Sequence, residues 1–261
     1  MIPFLMECDL SQVESRICYM LTRDPVLVTQ AQSQPWEFDG HTENAQKIFN
    51  VEQPTPRQRY LGKKAAHGSM RGMQGRKLAD ELLKDGTVMT VQECDWLIQR
   101  YFETKPAIRD VYFLEVRQEI WNRRRLVNSF SRVIEWPYDR FEDDLYREAY
   151  SWPLQSDAAD LMNQRGLVPM FNWLKKNNMK TKIQAQVHDS LLFNTCIEEA
   201  YDVALAFRGW IGEPIQYPAG PLSVPVTYKV GKTWEGDHEW KRLPERAEFN
   251  EKIKEITDGR P

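Results

Sequence analysis

The chain is poor in the residues that make cross-links and structural metal centres. Its four cysteines, Cys8, Cys18, Cys94 and Cys196, form no Cys-x-x-Cys pair, and its four histidines, His41, His67, His188 and His238, show no zinc-ligand spacing. A disulfide scaffold and a zinc ribbon are thereby excluded, and reduced structural thiols are expected. No apolar run reaches membrane-spanning length. The apolar start Met1-Ile2-Pro3-Phe4-Leu5-Met6 has no basic leader and runs into Glu7 and Asp9 too soon for a signal peptide, so a cytoplasmic setting without a membrane partner is expected. There is no internal repeat and no low-complexity segment. Positive charge is not in excess either: the net charge is −3, so a polyanionic partner would have to be met by local clusters. Such clusters occur at 57–77, at Arg123-Arg124-Arg125 and at Lys175-Lys176. With 41% hydrophobic residues in 261, the chain can bury a core as one large domain or two small ones.

Residues 2–8 read as a short buried strand with Asp9 at its end. Ser11 and Glu14 fit a capping box opening a helix with Val13, Ile17 and Leu21 on its apolar face. A loop-rich stretch is expected at 24–40. Thr55, Pro56 and Gln58 then mark a clean helix start, as N-cap, first helical residue and reciprocal cap. Further helical patterns cover 77–83, 91–101, 106–123 and 145–174, the last interrupted by Pro153 and Pro169, and strands are expected at 127–136. Ile183, Ala185 and Val187 alternate with Gln184, Gln186 and His188, the period-two pattern of a half-buried strand. Leu191-Leu192-Phe193 makes the return strand, with His188-Asp189-Ser190 at the tip. A helix at 197–210, a last strand at 224–230 and a charged tail at 239–261 complete the reading.

Two features carry chemistry. Asp189 shares the parity of Ile183, Ala185 and Val187, so it lies near a buried face where an unpaired carboxylate is costly and a metal ion would relieve the cost. Taken alone, it is equally well a turn aspartate, Asp9 a strand-end residue pointing into water, and Glu14 a capping glutamate. The second feature is a stripe: Arg59, Lys63, His67 and Arg71 recur every four residues and so share one helical face. A solvated face usually mixes signs, whereas this one repels itself unless an anion is near. Gly68 and Gly72 beside it weaken the helix by about 1 kcal/mol each, and backbone access is the reading for them. Joining a hydroxyl to a nucleoside triphosphate needs two divalent metals held by carboxylates, and cations clamping the phosphates from the other side.

In order along the chain, Asp9-Leu10-Ser11-Gln12-Val13-Glu14-Ser15-Arg16, Arg59-xxx-Lys63-xxx-His67-Gly68-xx-Arg71-Gly72 and Gln186-Val187-His188-Asp189 resemble the three signature motifs of the family A DNA polymerases, the group of bacterial DNA polymerase I and many viral replicases. Similarity extends through Arg100-Tyr101-Phe102-Glu103, Pro106, Arg147 to Pro153, Gln155, Ala158-Ala159-Asp160, Val224-Pro225-Val226 and Trp234, over about 2–236. The resemblance implies an α+β fold: a small antiparallel palm sheet flanked by helices (1–22 and 126–238), a mainly helical fingers insertion (23–125, with the second-motif helix at about 56–75) and the tail 239–261. It implies that Asp9 and Asp189, with the Leu10 carbonyl, bind two Mg²⁺ ions, that Arg59 and Lys63 hold a deoxynucleoside triphosphate, and that Lys63 gives a proton to the leaving pyrophosphate. His67 would stack on the incoming nucleotide, Glu14 would lie against its sugar, and Gln12 would join that site. Primer-template DNA would be touched by Arg71, Gly72, Arg132, Arg147, Gln155 and His188.

The chain departs from the family pattern at His67 (usually Phe or Tyr), Arg71 (usually Tyr), Ser190 (usually an acid) and Ser151 (usually Asn). A thumb and an exonuclease domain are expected to be absent, since eight residues precede Asp9; either a separate chain supplies them or the chain is a fragment. Fewer phosphate contacts would then make binding weaker and strongly salt-dependent. If the source is viral, the setting is the host cytoplasm. Two other functions fit the same residues: a non-catalytic DNA-binding subunit or polymerase remnant, and a two-metal nuclease.

Overall fold

The computed structural model describes residues 3–258. Its centre is a five-stranded antiparallel sheet in the order β4-β5-β1-β8-β9, with β1 Phe4–Leu10, β4 Lys182–Val187, β5 Ser190–Thr195, β8 Val226–Gly231 and β9 His238–Trp240. Strand β1 lies in the middle. Phe4, Met6, Cys8 and Leu10 are buried while Leu5, Glu7 and Asp9 are less so, the alternation that commits one face of the strand to the core. The part of the expected first strand at Ile2 lies outside the described residues. Helix α10 (Ile197–Ile211) crosses the sheet's buried face through Val203, Ala204 and Phe207. The charged tail is not loose: α11 (Arg246–Asp258) buries Phe249 and Ile253, with Phe249 stacked at 5.0 Å on Trp240.

The helices from 13 to 123 form a second layer. Helix α1 (Val13–Thr22) opens without the expected capping box: Gln12 takes the N-cap in a left-handed conformation with no side-chain cap bond, which leaves Ser11 outside the helix and Glu14 at its second residue, out of register for the box. The expected loop at 24–40 is mostly helix. Asp24 caps α2 (Pro25–Gln32), where Pro25 supplies a pre-set first turn, and Asp39 caps α3 (Gly40–Phe49). The capping box of Thr55 and Gln58 is present at the start of α4 (Pro56–Met70). Helix α4 stops at Met70, short of the expected residue 75, and α5 (Gly75–Lys84) follows. Gly72 explains the stop, since its φ of 70° puts it in the left-handed region and Tyr150 sits where a Cβ would be. Gly68 is likewise packed against Met73, so these glycines serve the turn and the packing rather than leaving backbone open. Gly62 lets α4 lie against Ala45 of α3, where a Cβ would stand 3.1 Å from the Ala45 backbone.

Helix α6 (Val91–Thr104) leads into a π-helical stretch, Ile108–Phe113, and α7 (Leu114–Arg123). The expected strands at 127–136 are a hairpin, β2 (Arg125–Val127) with β3 (Val133–Glu135), whose turn is anchored by acids of the next helix. That helix, α8 (Asp143–Leu161), runs through Pro153 without breaking and passes by a π-helical stretch, Met162–Leu167, into α9 (Val168–Lys176). Pro169 falls just past the π-helical stretch, in the first turn of α9. A small hairpin, β6 (Ile215–Tyr217) with β7 (Gly220–Leu222), was not foreseen. No described helix is long and apolar enough to cross a membrane.

Candidate active site

The antiparallel register sets Asp9 opposite Ser190, the residue after Asp189, and Leu10 N–H donates to the Asp189 carbonyl at 2.9 Å. Two aspartates at opposite ends of the sequence thus flank one main-chain hydrogen bond. On the other side of β1, Thr227 of β8 stands opposite Asp9, and its hydroxyl approaches Asp9 Oδ1 at 3.4 Å. Burial pushes the Asp9 carboxyl up to about 7, with the charges of Asp189 and then Glu7 adding to it. Burial also raises Asp189, with Glu14 and Glu7 adding. Neither aspartate side chain has a cationic partner within salt-bridge distance among the described residues. Unneutralised carboxylates brought together in a partly buried place are what a hard divalent cation would relieve. Among the described residues no cluster of three or more His, Cys, Asp or Glu side chains is arranged to hold a metal ion. Two carboxylates beside open space fit magnesium, which commonly takes one or two protein carboxylates and completes its shell with water and substrate phosphates.

Asp189 opens on a cleft of about 480 Å³ whose lining brings all three sequence motifs together: Gln12 and Glu14 from the first, His67 and Arg71 from α4, His188 and Asp189 from the hairpin; Asp9 itself is not among the lining residues. Gln155 of α8 closes it. His188 reaches its place at the tip through a φ of 51°. Arg71 is paired with Glu14, its Nε donating to Glu14 Oε2 at 3.2 Å, which spends the carboxylate that the capping box would have used.

The cationic stripe is therefore not the bare charge that its spacing suggests. Arg59 donates to Asp39 at 2.8 Å and to the Thr42 hydroxyl at 3.1 Å. Burial alone would raise the Asp39 carboxyl, but the bonds from Arg59 and Thr42 outweigh it and hold it at about 2. Lys63 is exposed and meets no carboxylate within ion-pair distance among the described residues. His67 has Nε2 buried without a partner, and burial together with Lys63 lowers it to about 4, so it is a neutral ring at pH 7. Sequence reasoning missed His41. Its ring lies 5.5 Å from that of His67, and burial, then the neighbouring His67 and Lys63, lower it to about 3. Two neutral imidazoles thus back the free lysine. The signal available was Asp39-Gly40-His41-Thr42, an aspartate cap aiming a helix start at α4.

Other expected contacts lie apart from the cleft. Arg132 pairs with Asp160, its Nε donating at 2.9 Å, and pins the β2–β3 hairpin to α8. Asn128 also reaches Asp160, while Ser129 and Tyr217 hold the buried Asp157. Arg147 pairs with Asp144 and, together with Gly72, lines a neighbouring pocket with Phe102, Phe113 and Tyr150. Leu10 is fully buried.

A model of "DNA polymerase family A" matches residues 3–236. DNA polymerase I of Borreliella burgdorferi is 29% identical over 238 residues, covering 87% of this chain and 24% of that protein. DNA polymerase I of Pseudomonas aeruginosa is 26% identical over 243 residues, covering 90% and 25%. The chain thus spans about a quarter of the length of these curated relatives. Among solved structures, the POL domain of Pol1 from M. smegmatis, in complex with DNA primer-template and dNTP, superposes with a TM-score of 0.73 at 26% identity, covering 90% of this chain and 41% of that one. With the α+β architecture, the order of the motifs and their meeting in one cleft all on the page, the chain belongs to DNA polymerase family A.

Proposed function

We propose that the chain is the palm and fingers module of a DNA-templated DNA polymerase, adding deoxynucleotides to a primer 3′ end. The observation that carries this reading is the cleft in which Asp189, held beside Asp9 by the strand register, faces His67 and Arg71 of the cationic helix. Palm would be 1–22 with 126–238, fingers 23–125, and 239–261 an addition whose helix α11 packs on the palm. Asp9, Asp189 and the Leu10 carbonyl are the residues to hold two Mg²⁺ ions. When bound, the ions lower the pKa of the primer hydroxyl and offset charge on the phosphates.

The chain's own residues do the rest. Lys63, the uncommitted cation, takes the triphosphate and gives a proton to the departing pyrophosphate, and Arg59 joins it by leaving Asp39 for a doubly charged phosphate. The neutral His67 offers a flat face to the incoming nucleotide, and Glu14, fixed by Arg71, stands with Gln12 where the sugar would lie. His188 and Gln155, on the hairpin side of the cleft, are placed for the primer end and the new base pair, with Arg147, Arg132, Arg71 and Gly72 as outer contacts to DNA. Primer-template DNA and deoxynucleoside triphosphates are the partners, and a thumb, on the same polypeptide or on another, would add phosphate contacts and lessen the salt sensitivity of binding.

Primer extension with magnesium, in the presence and absence of a thumb-bearing polymerase fragment, tests the reading against Asp9→Ala and Asp189→Ala. Equal incorporation by all three proteins would refute it. The prior neutralisation of Arg59 and Arg71 favours one rival, a DNA-binding remnant, and tight primer-template binding with no incorporation under any of these conditions would select it.

A further inference from the structure

Glu7 belongs to no motif, yet it is the best-tethered carboxylate beside the aspartate pair. It lies two residues before Asp9 on β1, hence on the same face of the sheet. Three elements converge on it: Lys229 of β8, directly opposite in register, at 2.5 Å; Trp234 Nε1 at 3.2 Å; and the buried Ser190 hydroxyl at 2.9 Å. Ser190 is the residue that follows Asp189 and stands opposite Asp9. Its hydroxyl also lies 3.1 Å from the Val187 carbonyl, so it spans the turn that carries Asp189. A third carboxylate so near two others adds repulsion, and a neutral side chain would pack there more cheaply. Glu7 is nonetheless held by three donors, and one of those donors is the turn itself.

We propose that Glu7 is the positioning residue of the aspartate pair: through Ser190 it fixes the Asp189 turn against β1, and so sets the spacing at which the two aspartates take up divalent cations. This rests on the polymerase reading only in taking Asp9 and Asp189 as the cation-binding pair. The bland alternative is an ordinary cross-strand Glu–Lys pair that contributes stability and nothing else.

Mn²⁺ binding to the whole chain, followed by electron paramagnetic resonance without DNA or nucleotide, separates the two, with thermal unfolding run in parallel. Ser190→Ala and Glu7→Ala are expected to weaken Mn²⁺ binding about tenfold or more, the scale of an outer hydrogen-bonding partner. Glu7→Gln, which can still accept from Ser190 and Trp234, is expected to recover most of the affinity. Lys229→Met, which leaves the link to Ser190 intact, should change the unfolding temperature more than the affinity. Wild-type affinity in Ser190→Ala and Glu7→Ala, alongside loss of binding in Asp9→Asn, would overturn the role of Glu7 and leave the polymerase reading standing. Wild-type affinity in Asp9→Asn would remove the cation-binding pair itself. Should Glu7→Ala fail to fold, Ser190→Ala, which deletes a single hydroxyl, decides alone.

Discussion

The two faces of the cleft handle charge in opposite ways. On the sheet, Asp9 and Asp189 are crowded together without a cation, and burial lifts both carboxyls. On the helical side, Arg59 and Arg71 already hold Asp39 and Glu14, and both imidazoles are kept neutral, so of the four stripe residues Lys63 is the cation with no carboxylate partner among the described residues. The sheet face is thus poised to gain a counter-ion, while the helical face has to exchange partners before it can grip an anion. Exchange costs more than capture, because each released carboxylate must be rehydrated or find a new donor.

The harshest test of this contrast is chemical. Asp9→Asn or Asp189→Asn is expected to lower primer extension by about 1,000-fold or more, since the nearby carboxylates Glu7 and Glu14 are already held by Lys229 and Arg71; a loss below about tenfold would mean that the sheet face is not the reactive one. On the helical face the two cations should differ. Lys63→Ala is expected to lower kcat/KM for the nucleotide by about 100-fold or more, and Arg59→Ala by nearer tenfold, because Arg59 has to abandon Asp39 to contribute. The reverse ranking in steady-state kinetics would show that the ion pair with Asp39 opens freely.

Protons sharpen the comparison further, because the two faces respond to pH with opposite sign. The folded pKa of Asp9 lies above its ordinary value, so between about 4 and about 7 the native state holds the extra proton and stability falls as pH rises. Asp9→Asn should therefore stabilise the metal-free protein by an amount that grows across that window to roughly 4 kcal/mol in urea unfolding. His41 is lowered to about 3, so below pH 6.5 the unfolded state takes the proton first and stability falls as pH falls. The gap between wild type and His41→Gln should widen from pH 6.5 downwards, and parallel curves would show that His41 is not buried as neutral. The smallest effect concerns Glu14 and Arg71. A double-mutant cycle with Glu14→Gln and Arg71→Met should give a coupling of about 0.5–1.5 kcal/mol, reduced by the partial exposure of both groups.

What could be read in advance follows from range. The capping box at Thr55 and Gln58, the alternation at the start of β4 and the apolar positions of β1 are local patterns with local causes, and they stand where the periodicity puts them. The helix behind Asp24 and Pro25 was also locally signalled and was missed by weighing turn residues above a proline in the first turn. The partners of Arg59 and Arg71 had no such signal. Asp39 and Glu14 sit 20 and 57 positions away, and only the packing of α1, α3 and α4 brings them within reach. An unmixed stripe in sequence is therefore a statement about one helix, while its net charge belongs to its neighbours. His41 escaped notice for the same reason, since its place beside His67 is set by the close approach that Gly62 allows between α3 and α4.

The position of β1 has a consequence for how the molecule assembles. It is the middle strand of the sheet, yet Glu7 bonds to a serine 183 positions downstream, and Asp9 to a threonine 218 positions downstream. During synthesis this segment emerges well before its partners and waits, with both edges unsatisfied, until the strands that flank it have been made. The helices between can form from their own short-range contacts, so the two aspartates meet only after those helices are made, and a product cut short before β5 would carry folded helices with Asp9 alone.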